Sequence, residues 1–307
     1  MESEEKSLLI IVGPTGVGKS AVAIRLAKVF SGEVISCDSM QVYRGFDIGT
    51  DKIPREEQEN IPHHLLDILN YSVQFTAAEF ARRAADAIAL ILERNKLPII
   101  AGGTGLYIKA LIDGLFPADI KDLHIRKELE GEADTKGLEV LWKRLERIDP
   151  GYAGQLGKND RIRIIRALEV YAATRKPISE HFLNTKPYIH DFNIIEIGLK
   201  LERDELYKRI EERVEKMFER GIVEEVKSLL ESGVKESAPP FRALGYKHVL
   251  RFLNKEISLD DAISMTKRET RHYAKRQLTW FRKRKSIRWF APHEFTEMST
   301  YVGKKLE

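Results

Sequence analysis

An apolar run, Leu8-Leu9-Ile10-Ile11-Val12, leads directly into Gly13-Pro14-Thr15-Gly16-Val17-Gly18-Lys19-Ser20, and an alanine-rich helical pattern follows. This spacing is that of a phosphate-binding loop between a strand and a helix. Backbone N–H groups of the loop and the positive end of the helix would surround a diphosphate or triphosphate. Lys19 would neutralise its charge and Ser20 would ligate Mg²⁺. The alternative is a glycine-rich turn without a ligand.

Composition describes a globular chain of 307 residues, with 43% hydrophobic and 32% charged residues. No apolar run reaches membrane-spanning length, and the acidic start, residues 1–5, is unlike a secretory leader. The single cysteine, Cys37, excludes an intrachain disulfide and fits a reducing compartment. We therefore expect a cytoplasmic protein without a membrane partner. We also expect a monomer.

The net charge of +4 is unevenly distributed. Residues 267–285 contain nine Lys or Arg and one acid, Glu269, so this segment contributes +8 and leaves −4 for the rest of the chain. A basic segment on a mildly acidic protein favours a polyanionic partner.

The first third of the chain alternates strand and helix patterns. The predicted elements are a strand Leu8–Val12, a helix Lys19–Phe30, a strand Glu33–Ser36, a helix Thr76–Arg94 and a strand Leu97–Ala101. Such alternation predicts an α/β fold, a P-loop parallel sheet core flanked by helices. Ligands bind beyond the carboxyl ends of such strands, so we expect the segments Gly13–Ser20, Cys37–Gln41 and Gly102–Gly105 to converge.

The middle of the chain, residues 117–192, has charged helical patterns and no convincing strand, which predicts an all-helical insertion domain. The core would then comprise residues 1–116 and 193–307, with a strand at Asn193–Leu199. We expect one long helix over Arg203–Ser232, then helices over Tyr246–Phe252 and Leu259–Lys267, the last continuing as a basic helix to Lys285.

The residues that follow the other strands indicate which chemistry the phosphate loop serves. A hydrolytic P-loop enzyme usually has an acid at the end of a later apolar strand, but Leu97–Ala101 ends in Gly102-Gly103-Thr104. The carboxylate at a strand end is Asp38, a candidate base or metal partner, although it could equally cap its own turn. Thr104 could donate its hydroxyl to a ligand, or its segment could be only a tight turn.

Several motifs together resemble the tRNA dimethylallyltransferases over nearly the whole chain. They are Gly-Pro-Thr-x-x-Gly-Lys-Ser at 13–20, Asp-Ser-x-Gln at 38–41, Asp-Ile-Gly-Thr at 47–50, Pro-His-His at 62–64, Gly-Gly-Thr-Gly-Leu-Tyr at 102–107, Arg-Ala-Leu-Glu at 166–169, Gly-Tyr at 245–246 and Tyr-Ala-Lys-Arg-Gln-Leu-Thr-Trp-Phe-Arg at 273–282.

The resemblance implies transfer of a dimethylallyl group from dimethylallyl diphosphate to N6 of the adenosine 3′-adjacent to the tRNA anticodon. The loop would hold the departing diphosphate, with Mg²⁺ as cofactor, rather than ATP. It further implies that Asp38 accepts the N6 proton and that Thr104 and Arg126 grip the substrate. Eukaryotic relatives often append a zinc finger, which a chain with one cysteine lacks.

The resemblance and the local charge also indicate which residues contact tRNA. They are Asp38, Ser39, Met40 and Gln41, with Gln41 as reader of a base edge; Arg161, Arg163 and Arg166 of the insertion; Arg242, Gly245 and Tyr246 of a turn; and Arg271, His272, Lys275, Arg276, Gln277 and Arg282 of the basic helix. His63 and His64 fit a structural role better than metal binding, since no third ligand is identifiable.

Three other functions remain open at this stage. A nucleotide or small-molecule kinase shares the loop, the parallel sheet and a helical insertion. An adenylate isopentenyltransferase would use the same allyl donor with a free nucleotide. A nucleic-acid-binding protein could use ATP only as a conformational switch.

Overall fold

The computed structural model describes residues 6–115, 122–183 and 185–307. Its strands are β1 (Lys6–Val12), β2 (Gly32–Cys37), β3 (His63–His64), β4 (Leu97–Gly102), β5 (Phe192–Leu199) and β6 (Arg288–Phe290). Its α-helices are α1 (Lys19–Val29), α2 (Ala77–Glu93), α3 (Gly105–Ile112), α4 (Leu123–Lys136), α5 (Leu138–Ile148), α6 (Pro150–Ala153), α7 (Arg161–Thr174), α8 (Ile178–Leu183), α9 (Arg203–Glu219), α10 (Ile222–Glu231), α11 (Leu244–Leu253), α12 (Leu259–Phe281) and α13 (Phe295–Leu306). The predicted acidic start, residues 1–5, and the first predicted border, residue 117, lie outside the described residues.

The strands form one parallel sheet in the order β3-β2-β4-β1-β5-β6. β1 lies near the centre, and its residues 8–12 are all buried, as both faces of a parallel sheet require. Leu9 and Ile11 pack with Leu26 of α1 and Ile210 of α9 in one core cluster. The predicted parallel α/β sheet is confirmed.

Two compact units make up the chain: residues 1–108 with 189–307, and residues 109–188. The second unit contains only helices among its described residues, and it has its own apolar core, in which Leu141, Leu145, Ile164 and Leu168 are buried. These borders lie a few residues before those expected from the sequence.

Two predicted helices end earlier than expected. The helix over Arg203–Ser232 is wrong as a single element, because α9 and α10 are separated at Gly221, whose φ of 91° a helix interior does not allow. The basic helix ends at Phe281 and not at Lys285, because Arg284 instead pairs with the buried Glu196 of β5, and the chain continues into β6 beside that strand.

The helix cap that the sequence predicts at Thr76 is present in the structure. Thr76 Oγ1 accepts from the backbone N–H of Glu79 at 3.2 Å and begins α2, as predicted. Within the described ranges, no helix is both long and apolar enough to cross a membrane.

Candidate active site

Three strand ends meet at one edge of the sheet. Val12 of β1 pairs with Gly102 of β4, and Gly102 pairs with Cys37 of β2. A side chain at Gly102 would overlap the backbone of Cys37, so glycine is what permits this close approach. The loops that follow these strands therefore begin side by side, which confirms the predicted convergence.

The loop after β1 has the backbone of an anion cradle. Gly16 and Gly18 have φ values of 82° and 96°, and Gly18 caps α1. Lys19 Nζ donates to the carbonyl of Pro14 at 2.8 Å and thereby closes the loop. Burial, and then the charge of Arg213, lower the pKa of Lys19 to about 8. The loop thus holds an ammonium group that an incoming anion would keep protonated.

Arg213 of α9 is a site residue that the sequence prediction missed. Its Nη1 donates to Thr15 Oγ1 at 2.8 Å and lies 3.1 Å from Asp51 Oδ2. One signal was present in the sequence: residue 213 lies between Ile210 and Val214, which both face the core. A charged residue at such a helical position has to be held by specific partners.

Asp38 follows β2 and caps its own turn, which was the alternative interpretation of this residue. Its Oδ1 accepts from the backbone N–H groups of Met40 at 2.8 Å and Gln41 at 3.3 Å. This turn cap is compatible with the proposed proton acceptance, because a carboxylate has acceptor capacity beyond two hydrogen bonds. Ser39 and Met40 line the same cavity as Asp38.

Gln41 also lines the cavity, but its amide is engaged within the protein. Nε2 donates to the carbonyls of Thr50 at 3.2 Å and Asp51 at 3.1 Å, and Oε1 accepts from Ser36 Oγ at 3.3 Å. This placement does not suit the predicted reading of a base edge, since that contact would have to replace hydrogen bonds that hold residues 50–51.

Thr104 lies between β4 and α3, and its hydroxyl is buried near the phenol of Tyr273. Burial, followed by the charge of Asp38, raises the pKa of Tyr273 to about 12. Tyr273 of α12 lines the cavity and was not among the predicted site residues. Thr104 and Asp38 therefore both lie close to Tyr273.

A cavity of about 940 Å³ is lined by Asp38, Tyr273 and residues of the phosphate loop. Its lining includes five cationic side chains: Arg209, Arg213 and Lys216 of α9, Arg220 directly after α9, and Arg242 in the turn before α11. It also includes Ser20, Asp38, Asp51 and Gly245. The volume suits a medium-sized organic ligand, and the cations favour a phosphorylated one.

Two predicted tRNA contacts, Tyr246 and Gln277, are buried, and their polar groups are hydrogen-bonded within the protein. Tyr246 is fully buried, and its hydroxyl donates to Glu225 Oε2 at 2.7 Å. Gln277 is 6% exposed and bonds to the backbone at Thr15 and Gly103. Neither placement suits an RNA contact. A helix that is basic overall still packs one face against the core, and Gln277 lies on that face.

The remaining predicted cations differ in how they are engaged. Arg271 pairs with Glu211, whereas Lys275, Arg276 and Arg282 are exposed. His272 is likewise exposed. The exposed set is where the surface of α12 remains open to a polyanion.

The second unit contains the predicted arginines of the insertion, and each is in an ion pair there. Arg126 Nε lies 3.5 Å from Glu130, Arg161 Nη1 lies 2.7 Å from Asp134, Arg163 pairs with Asp160, and Arg166 Nη1 lies 3.0 Å from Glu169. Their predicted contacts with substrate or tRNA stay predictions.

His64 Nε2 lies 2.7 Å from Oε2 of the buried Glu33, and His63 Nδ1 lies 2.8 Å from the carbonyl of Ile61. Both rings are thus held within β3 and its surroundings. Among the described residues, no three His, Cys, Asp or Glu side chains form a group that could hold a metal.

A parallel sheet with a glycine-rich loop, a lysine and a cationic cavity at its carboxyl edge defines an α/β protein of the phosphate-binding class. Comparison with known proteins assigns the family. A sequence model of IPP transferases matches residues 41–284. The chain belongs to this family, whose curated relatives are tRNA dimethylallyltransferases, and the resemblance seen in the sequence is confirmed.

Two relatives show how far the similarity extends. The tRNA dimethylallyltransferase of Geobacter sulfurreducens is 48% identical over 97% of this chain and 96% of its own length. That of Carboxydothermus hydrogenoformans is 50% identical over 93% of this chain and 92% of its own.

Solved structures agree with the fold. The full-length tRNA isopentenylpyrophosphate transferase of Bacillus halodurans superposes with a TM-score of 0.73 at 41% identity, covering 98% of this chain and 97% of that one. A eukaryotic dimethylallyltransferase described as acting on tRNA gives 0.79 at 32% identity, covering 98% and 77%.

Proposed function

We propose that this protein transfers a dimethylallyl group from dimethylallyl diphosphate to N6 of the adenosine 3′-adjacent to the anticodon of tRNA. The observation that carries the proposal is the in-register meeting of three strand ends, after which Lys19, Asp38 and Gly103 line one cavity. This substitution needs a diphosphate site and a carboxylate on one cavity, which Lys19 after β1 and Asp38 after β2 provide.

In the reaction, the bond from N6 to the allyl carbon forms while the bond from that carbon to the diphosphate oxygen breaks. The N6 proton passes to Asp38, and the diphosphate leaves with the bonding electron pair. Lys19, Arg213 and the backbone N–H groups of the loop stabilise the charge that grows on the departing diphosphate.

The residues present suit Mg²⁺. Ser20 is exposed at the start of α1 and lines the cavity together with Asp38, which provides one hydroxyl and one carboxylate oxygen. Mg²⁺ usually takes one or two such ligands and completes its shell with phosphate and water. When bound, the ion would neutralise part of the diphosphate charge.

The tRNA would lie against the exposed cations Lys275 and Arg276 of α12 and Arg282 directly after it. The target base has to leave its stack to reach Asp38, which is least costly in a loop. A tRNA substrate also implies a cytoplasmic enzyme.

The test is incubation with radiolabelled dimethylallyl diphosphate and either unmodified tRNA or AMP, without ATP. We expect label in tRNA alone, at the adenosine next to the anticodon. Label in AMP would favour an adenylate isopentenyltransferase, and a requirement for ATP would favour a kinase.

A further inference from the structure

One side chain of α12 links two loops of the site. Gln277 Oε1 accepts from the backbone N–H of Thr15 at 2.8 Å, and Gln277 Nε2 donates to the carbonyl of Gly103 at 3.0 Å. Thr15 belongs to the phosphate loop after β1, and Gly103 directly precedes Thr104 after β4. We call this pair of hydrogen bonds the Gln277 clasp.

We propose that Gln277 is a positioning residue, which fixes the phosphate loop relative to the Gly103–Thr104 segment and thereby aligns the departing diphosphate with the acceptor side of the cavity. The alignment role rests on the proposed function. The clasp itself, as a determinant of diphosphate binding, does not.

The chemistry of the clasp calls for an amide. Its partners are one donor, the N–H of Thr15, and one acceptor, the carbonyl of Gly103, and a glutamine end group supplies one acceptor and one donor. A glutamate of the same length would set an acceptor against the Gly103 carbonyl. A methionine would remove the partner of the part-buried Thr15 N–H and of the buried Gly103 carbonyl, which is costly.

The absence of a side chain at Gly103 allows the same contact. A methyl group there would overlap Gln277 Nε2, and the next neighbour, the carbonyl oxygen of Gly13, would lie at 3.4 Å. The φ of Gly103 is not in the left-handed region, so its backbone conformation is open to other residues. Glycine at 103 therefore makes room for the amide of Gln277.

The clasp joins elements from different parts of the site, so its loss would shift the phosphate loop relative to the Gly103–Thr104 segment. Thr15 is held at its N–H by α12 and at its hydroxyl by Arg213 of α9. Tyr273, one turn before Gln277, lines the cavity beside Thr104. Because reacting groups have to approach along a defined line, a shift of about 1 Å between the two loops can cost about 10²-fold in rate.

The first test compares Gln277→Met and Gln277→Glu with wild type. We expect the single-turnover rate constant at saturating concentrations of both substrates to fall by roughly 10- to 100-fold. The dissociation constant for inorganic diphosphate should rise, and tRNA affinity should remain within about twofold. Ser264→Met, an exposed change near the start of the same helix and outside the basic segment, serves as the control and should alter none of these values.

A loss of tRNA affinity with an unchanged saturating rate would overturn the proposal and restore the RNA contact predicted from sequence. An unchanged rate and an unchanged affinity for inorganic diphosphate would overturn it as well. If wild type transfers no label, the proposed function fails; the binding of inorganic diphosphate still tests the clasp, because it needs neither tRNA nor catalysis.

A double-mutant cycle separates the clasp from a general loss of packing. Gly103→Ala should reduce rate and diphosphate affinity in the wild-type background, because the methyl group displaces the amide. In the Gln277→Ala background the same change should add little, since the space is then free. Losses that simply add in the double variant would show that the residues act independently and would overturn the proposal.

Discussion

Arg213 reaches from α9 to the phosphate loop: its Nη1 lies 2.8 Å from Thr15 Oγ1 and 3.1 Å from Asp51 Oδ2. Arg213→Lys keeps the charge but offers a single ammonium in place of the planar fork. We expect the dissociation constant for inorganic diphosphate to rise by about tenfold, which titration calorimetry can measure. Arg203→Lys, at the start of α9, should leave it unchanged. Equal affinity in both variants would remove Arg213 from the diphosphate site.

Asp38 combines a turn cap with the proposed acceptance of the N6 proton, and two variants separate these roles. Asp38→Asn keeps an oxygen for the N–H groups of Met40 and Gln41, whereas Asp38→Ala removes it. Both should lower the single-turnover rate by about 10²- to 10⁴-fold with little change in tRNA affinity. A rate within about threefold of wild type for Asp38→Asn would contradict the assignment of the base.

The convergence of the three loops was predictable, because the carboxyl ends of parallel strands share an edge. The site's contacts across the sequence were not. Gln277 and Thr15 are 262 positions apart, and no local pattern reports that pairing. The resemblance and the local charge favoured an RNA contact for six residues of the basic helix, including Gln277, which is buried.

Short elements escaped prediction for a different reason. β3 has two residues and β6 has three, so neither can show a periodic pattern. They form through pairing with β2 and β5 rather than through local preference. The separation of α9 from α10 did have a signal, Gly221, but an isolated glycine within a helical pattern is often tolerated.

Lys19 should make diphosphate binding depend on pH. Its lowered pKa of about 8 means that the free protein loses the ammonium charge as pH rises through that value. A bound diphosphate favours the charged form, so binding above this pH has to take up a proton. We expect affinity for diphosphate to fall by up to about tenfold per pH unit above the pKa, and Lys19→Met to lack this component. Identical pH profiles for the two proteins would contradict the lowered pKa.

The exposed cations of α12 should govern the salt dependence of tRNA binding. Lys275→Ala with Arg276→Ala should weaken binding and flatten the slope of log K against log salt by about 0.7 to 0.9 for each phosphate that the variant no longer neutralises. Lys304→Ala with Lys305→Ala, in α13, removes the same charge from another exposed site and serves as control. If both pairs change the slope equally, the effect is one of net charge and α12 is not the RNA face.

Glu225 should stabilise the loop that contains Asp47 and Ile48. One oxygen accepts from the backbone N–H groups of Asp47 and Ile48 at 2.8 and 2.9 Å, and the other from the hydroxyl of Tyr246. Glu225→Ala leaves these donors without their acceptor.

We expect Glu225→Ala to lower the free energy of unfolding by about 2 to 3 kcal/mol in urea denaturation, because several hydrogen bonds to one charged acceptor disappear together. The neighbouring Glu224 is 71% exposed at its side chain, so Glu224→Ala should change stability by about 0.5 kcal/mol or less. Glu225→Gln, which keeps an acceptor oxygen, should fall between the two. Equal stability of Glu225→Ala and Glu224→Ala would mean that the loop holds its shape without Glu225, and that its anchor lies instead in Lys52, which is buried and paired with Asp47.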